Sequence, residues 1–356
     1  MIKINKLSII LTLSFFLLSP VLLGMEVKVK EEAFFNQGFP FVTVPGKMVF
    51  QSNREGALSE IWILENGQIK KIASGKNTDK NIPKQLSGPP AGMFGGAFAD
   101  LREPKWSPDG KTILCLNGKE LILINEDGSN PKAIDPSKYP HLAVWAPNGS
   151  AIYYVAIDNH PNGGGSQNIY RLNLSDKSEQ KITDLAPLPG IRRILSIAVS
   201  PDDKIIAFAM VGEDEYGISI WTVNTDGSDL RLLVKYADDP AWSPDGSKLA
   251  YVSSYDANGK KVHRYDKIFI LDLKTMQTIQ LTTKGWTDRR PVFSPDGTKI
   301  AFESYRHREI AHGSELFVID IDGTGEARIT PPQKNPKYPN DLYRGWSTDQ
   351  YPDWRA

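Results

Sequence analysis

The sequence predicts an all-β fold: a six-bladed β-propeller of four-stranded antiparallel blades, closed by its C-terminal strand joining the N-terminal blade. Three observations predict it. A Trp-Ser-Pro-Asp-Gly turn recurs along the chain, each copy is followed by short alternating strands, and the two chain ends each hold part of one blade.

The recurring turn stands at Trp106-Ser107-Pro108-Asp109-Gly110, at Trp242-Ser243-Pro244-Asp245-Gly246 and at Phe293-Ser294-Pro295-Asp296-Gly297. Weaker copies are Trp145-Ala146-Pro147-Asn148-Gly149 and Val199-Ser200-Pro201-Asp202-Asp203. Their lead residues follow one another at intervals of 39 to 54 residues, one repeated unit with variable insertions. Proline presets φ for the turn, Asp or Asn bonds its own backbone, and Gly takes the left-handed position.

A second strand follows each turn, as in Lys248-Leu249-Ala250-Tyr251, and a third comes next, as in Ile268-Phe269-Ile270-Leu271. Asp-Gly hairpins (Asp127-Gly128, Asp226-Gly227, Asp322-Gly323) lead to a fourth strand such as 278–282. The N-terminal Lys47-Met48-Val49-Phe50 reads as a second strand with no first strand before it. Tyr351-Pro352-Asp353-Trp354-Arg355 reads as a first strand with nothing after it. Joined, they complete a sixth blade and remove an exposed sheet edge. The aligned second-strand column then holds Phe50, Cys115, Tyr154, Phe208, Tyr251 and Phe302. The third-strand column holds Trp62, Ile122, Tyr170, Trp221, Phe269 and Phe317.

The remainder of the chain divides simply. Lys3 and Lys6 precede an apolar run from Leu7 to Leu23, so 1–24 is expected to be a signal peptide, with an uncleaved anchor as the alternative. Residues 25–46 are a lead-in and 47–356 the propeller. Lys+Arg and Asp+Glu each number 42, so no net field draws the chain to nucleic acid or an anionic membrane. The single Cys115 permits no intrachain disulfide and falls in the core column, where it is expected to be a buried hydrophobe.

The repeats resemble the propeller of the TolB family, whose units carry the same P-x-W-S-P-D-G and D-G-s motifs. The resemblance covers residues 47 to 355. It implies a periplasmic or secreted protein, monomeric, that docks a protein or peptide of the cell envelope. TolB proteins carry an α/β domain ahead of the propeller; with only residues 25–46 between signal and first blade, that domain is expected to be missing here.

Strand polarity sends every long insertion to one face: 75–101, 159–168, 255–267, 304–314 and 331–350, with a shorter piece at 212–217. Function concentrates on such loops. Charges recur where the chain enters the channel: Asp100 and Arg102, Asp238 and Asp239, Asp288 with Arg289 and Arg290, and Asp349. The candidate binding surface joins these to His263, Arg264, Arg306, His307, Arg344 and Trp346. One reading of the charges is mutual pairing and loop support; the other is a polar or cation-binding mouth.

No catalytic residue and no metal-ligand spacing is indicated. The chain lacks G-x-S-x-G, Walker, H-E-x-x-H and C-x-x-C motifs. The reading is therefore a non-catalytic scaffold with no cofactor, a divalent cation such as calcium at the mouth being left open. The alternative is a channel-mouth enzyme, a metal-dependent lyase or lactonase acting on a sugar-type substrate.

Overall fold

A computed structural model describes residues 42–54, 59–74, 101–118, 120–159, 165–185, 193–212, 217–255, 260–261, 266–284, 287–306, 314–330 and 349–356. The signal segment and most of the lead-in lie outside them. So do Phe94, Phe98, Trp286 and Tyr343, aromatics that the sequence places between strands.

Six four-stranded antiparallel sheets form the ring. Blade 1 contains β1 (Lys47–Ser52), β2 (Glu60–Glu65) and β3 (Gln68–Ser74). Blade 2 is β4 (Arg102–Trp106), β5 (Thr112–Asn117), β6 (Glu120–Asn125) and β7 (Lys132–Ile134). Blade 3 is β8 (Leu142–Trp145), β9 (Ala151–Asn159), β10 (Gly165–Asn173) and β11 (Glu179–Lys181). Blade 4 is β12 (Arg193–Val199), β13 (Ile205–Val211), β14 (Ile218–Asn224) and β15 (Arg231–Lys235). Blade 5 is β16 (Asp238–Trp242), β17 (Lys248–Ser253), β18 (Lys267–Asp272) and β19 (Thr278–Gln280). Blade 6 is β20 (Asp288–Phe293), β21 (Lys299–Ser304), β22 (Glu315–Asp320) and β23 (Ala327–Arg328).

The last strand, β24 (Asp349–Arg355), completes blade 1 by pairing antiparallel with β1, with Met48 opposite Trp354 and Ser52 opposite Asp349. Each inner strand touches the next around the circle, and β24 touches both β20 and β4. The ring is closed.

The turns work through a side-chain lock. In blade 2 the Ser107 hydroxyl donates to Asp109 at 2.6 Å and accepts from the Thr112 N–H at 2.9 Å, while Asp109 accepts from the Lys111 N–H at 3.1 Å. Ser243 with Asp245 and Ser294 with Asp296 repeat it. In blade 3 Ala146 cannot, and Asn148 holds Ser150 alone. Gly110 sits at φ 67°, a region that penalises a Cβ. In blade 4 Asp203 takes that place at φ 57°, which Asp tolerates.

The core lies between blades. Every member of the second-strand column stands directly opposite its third-strand counterpart, from Phe50 and Trp62 through Cys115 and Ile122 to Phe302 and Phe317. Alternation then presents successive side chains to the two neighbouring blades. Phe50 and Trp62 pack toward blade 6, Val49 and Ile61 toward blade 2.

Two details differ from the sequence reading. β9 and β10 pair further along than expected, so residues 159 and 165–168 of the loop expected at 159–168 are strand; Gln167 and Ser166 pair with Ile157 and Asp158. The ring also starts before residue 47. Val42 donates its N–H to the Arg328 carbonyl at 3.1 Å, and Val44 is buried between blades 6 and 1.

Candidate functional site

A cavity of about 610 Å³ opens along the ring axis, lined by the inner strands of all six blades. Four inner strands share an X-Pro-X-aromatic sequence, and in each the residue before proline is left-handed: Glu103 at φ 53°, Asp239 at 50°, Arg290 at 50° and Tyr351 at 52°. The strand pairing slips at each of these places. Such a bulge re-aims a side chain. All four residues line the cavity, as do Leu142 and Ser196 from the two blades without this proline. A non-glycine residue there costs about 1–3 kcal/mol, so the rim stores strain at four points of one circle.

Below this rim, Lys105 of blade 2 and Asp353 of blade 1 occupy the position after proline, with Ala241 and Val292 as the apolar counterparts in blades 5 and 6. Asp353 accepts the Trp106 N–H at 2.6 Å, and burial raises its pKa against the opposing pull of Lys105.

The rim charges are held unequally. Arg290 is ion-paired to buried Glu303, and its guanidinium lies 3.8 Å from the centre of the Tyr351 ring. Burial alone would lower its pKa, but Glu303 holds it well above the usual guanidinium value. Glu303 also accepts from the Gln350 amide at 3.2 Å. Arg289, more exposed, bonds Asp266 at 2.6 Å. Asp238 accepts the Ser196 hydroxyl at 2.8 Å and the Asp239 N–H at 2.7 Å. Burial, and then the neighbouring Asp239 carboxylate, push its pKa up to about 6. Burial also raises that of Glu103.

Of the residues singled out from sequence, Asp238, Asp239, Arg289 and Arg290 come together at this mouth. Arg102 begins β4 beside it and points to solvent. Asp288, Asp349 and Arg306 do not join them. They are buried inside blades 6 and 1 as a repeated Asp-Ser-Arg lock. Asp349 accepts from the Ser52 hydroxyl at 2.7 Å and pairs with Arg54 at 2.5 Å, while the Arg54 Nε–H donates to Ser52 at 3.2 Å. Asp288, Ser304 and Arg306 repeat the arrangement, with Ser304 to Asp288 at 2.6 Å and the Arg306 Nε–H to Ser304 at 2.8 Å. Each guanidinium caps its blade's aromatic pair, Arg54 over Phe50 and Trp62, Arg306 over Phe302 and Phe317. This is the pairing reading of those charges, for a reason that spacing does not reveal. Asp100, His263, Arg264, His307, Arg344 and Trp346 lie outside the described residues.

Glu103, Lys105, Tyr351 and Asp353 escaped the sequence reading as site residues. Their signal was present in the columns either side of the proline: Glu103, Asp239, Arg290 and Tyr351 before it, Lys105, Ala241, Val292 and Asp353 after it.

A self-closed ring of six four-stranded blades, three of them turning on Ser-Pro-Asp-Gly, around one charged axial mouth defines a repeat propeller whose candidate site is built from inner strands. The chain belongs to the TolB beta propeller domain family (PD40), which matches residues 162–345. A protein TolB homolog of Chlorobium chlorochromatii (strain CaD3) is 28% identical over 159 residues, covering 44% of this chain and 32% of that protein. The uncharacterized protein Atu1656 of Agrobacterium fabrum (strain C58 / ATCC 33970) is 27% identical over 191 residues, 52% of this chain and 56% of that one. The matched stretches thus span about a third to just over half of these relatives.

Among solved structures, a putative TolB from Agrobacterium tumefaciens superposes with a TM-score of 0.54 at 17% identity, covering 87% of this chain and 98% of that chain. An oligogalacturonate lyase in complex with manganese gives a TM-score of 0.53 at 16% identity, covering 84% and 82%. At such identities the likeness is one of fold.

Proposed function

We propose that this protein is a non-catalytic scaffold of the cell envelope that holds a protein or peptide at the mouth of its propeller channel. The observation that carries this reading is the rim itself. Four strained residues from four blades, Glu103, Asp239, Arg290 and Tyr351, surround one cavity of about 610 Å³. A rigid ring offering pre-set polar and aromatic groups suits recognition, since little ordering remains to be done on binding. The lysines and apolar run at the N-terminus support export to the periplasm or beyond. Among the described residues no helix is long and apolar enough to cross a membrane.

The competing reading, a metal-dependent lyase or lactonase acting on a sugar-type substrate, draws on the architecture shared with the lyase, and sites are grafted onto folds rather than dictated by them. Among the described residues, no group of three His, Cys, Asp or Glu side chains is placed to hold a metal ion.

Affinity capture from envelope extract with the wild type and a mouth-blocking Leu142→Trp variant tests the scaffold. A partner retained by the wild type and lost by an equally stable variant is the expected result. Equal recovery by both would move the site elsewhere. A stoichiometric metal in the purified protein, with hydrolysis or elimination on an oligosaccharide, would replace the scaffold reading by the enzymatic one.

A further inference from the structure

Resting on that scaffold reading, we propose that the lip of the mouth over blades 2, 3 and 4 holds an acidic side chain of the partner, an aspartate or glutamate, on an arc formed by Arg102, His141 and Arg193. All three residues are exposed and stand where the chain enters an inner strand: Arg102 begins β4, His141 immediately precedes β8 and Arg193 begins β12. The strands are neighbours around the ring, β8 touching β4 on one side and β12 on the other. Each residue is fixed through its backbone. Arg102 stands opposite Leu116, Arg193 opposite Val211, and the His141 N–H donates to the Val155 carbonyl at 2.8 Å. The arc therefore lies at one end of the ring, one or two residues ahead of Glu103, Leu142 and Leu195, which line the cavity.

Among the described residues, none of these three side chains makes an ion pair or a hydrogen bond. The arginines of blade 6 differ: Arg289 is paired to Asp266 and Arg290 to Glu303. The histidine registers the uncompensated field. Burial first, and then Arg102 and Arg193, hold its pKa below the ordinary 6.5, and no described carboxylate pulls it back. Both guanidinium groups thus lie near one imidazole. Arg102 also acts on Glu103, but that carboxylate lines the cavity, and a single carboxylate leaves Arg193 and the histidine without an opposite charge. Like charges held together repel, and an anion settling among them removes that cost.

The chemistry of the arc favours a carboxylate. A guanidinium offers a planar fork of N–H donors that matches the two oxygens of a carboxylate, and the imidazole adds a further donor from the strand in between. An anionic bilayer asks for more. Lipid surfaces are held by clusters of about 4–8 basic residues. The arc supplies three, and the chain as a whole balances 42 basic against 42 acidic residues. One acidic side chain at the lip of a concave mouth is the smaller target that fits. Anchored there, it leaves the adjoining residues of its segment over Leu142 and Leu195, an apolar part of the cavity wall.

The test uses the full chain, an end-blocked hexapeptide carrying two glutamates, and its twin with glutamine, which keeps the shape and removes the charge. Calorimetric titration at low salt should show the glutamate peptide binding at least about tenfold more tightly, a difference of about 1.4 kcal/mol. The R102Q/R193Q double variant should bring the glutamate peptide down to the glutamine level without lowering the melting temperature, since both arginines are exposed. The His141 titration, followed by NMR and assigned with H141Q, should move to higher pH in the double variant and in the wild type with glutamate peptide bound. Equal affinity for the two peptides, or no binding of either, overturns the proposal. So does unchanged glutamate binding by the double variant, or a His141 titration that its two substitutions leave in place. Phosphatidylglycerol vesicles that bind the wild type and displace the glutamate peptide would give the arc to a lipid headgroup instead. Partner capture separates the two claims. If the double variant still retains the wild-type partner, the acidic-group inference falls while the scaffold stands. If the wild type captures nothing yet prefers glutamate over glutamine, the reverse holds.

Discussion

Ring closure can be broken by removing residues 351–356, and the structure indicates how much that costs. Trp354 is 7% exposed and sits among Met48, Phe50 and Leu316, with its indole N–H donating to the Pro45 carbonyl at 2.8 Å. Losing such a tryptophan costs about 3–5 kcal/mol. Asp353 accepts the Trp106 N–H at 2.6 Å, a bond to a charged group worth about 1.5–3 kcal/mol. Arg355 bonds Glu126 at 2.6 Å and lies 4.3 Å from the Trp106 ring centre, which ties blade 1 to blade 2. Three residues opposite β1, namely Arg355, Trp354 and Asp353, vanish from the ladder, each backbone bond contributing about 1 kcal/mol. Together these losses approach the total stability of about 5–15 kcal/mol expected of a folded domain. The truncated chain should therefore lose its cooperative thermal transition. Trp354→Ala alone should lower Tm by about 10 °C, on a scale of roughly 2–4 °C per kcal/mol. Both are read by circular dichroism at one fixed scan rate, since unfolding of a chain this size can be irreversible. A truncated protein melting within about 3 °C of the full chain would refute closure by β24 as the keystone of the ring.

The other predictions contrast buried with exposed charge. Asp349→Ala breaks a buried pair with Arg54 and should cost about 3–5 kcal/mol by urea denaturation. Arg289→Ala removes a half-exposed pair with Asp266 and should change stability by about 1 kcal/mol or less; equal effects would contradict the burial argument. Asp238→Asn should raise Tm at pH 8 and leave it nearly unchanged at pH 4. Its folded pKa of about 6 lies above the ordinary 3.8, so its contribution is full below pH 3.8 and is lost as pH rises through 6. The groups facing it are Asp239, Arg289 and the Ser196 hydroxyl, and an identical shift at both pH values would show that the aspartate pair does not titrate this way. Cys115 is fully buried and its thiol pKa is pushed well above the usual range, so a thiol reagent should label it only at the unfolding rate; labelling as fast as free cysteine would place it at the surface.

The blades were legible because their causes are local. Ser-Pro-Asp-Gly sets a turn through bonds between residues two to five apart, as Ser107, Asp109 and Thr112 show. Period-two alternation then fixes which face of each strand is apolar. The six-blade count followed from two columns whose members do stand opposite one another in every blade. β9 and β10 exceeded what the pattern marked by the widest margin, since polar Ser166 and Gln167 gave no strand signal of their own.

The mouth was legible in outline only. Sequence alone determined that charges gather where four of the inner strands begin, because the repeat brings equivalent positions to one axis. Tertiary structure decided which of them reach the channel. A left-handed residue before proline turns Glu103, Asp239, Arg290 and Tyr351 inward. A position slightly earlier in the strand, held by Asp288 and Asp349, falls instead between strands and meets an arginine from the same blade. Positions two residues apart thus separate into a channel-facing ring and a structural lock. The difference comes from backbone rotation at a bulge and from a partner 16 to 297 residues away, neither of which is written in the spacing of the charges.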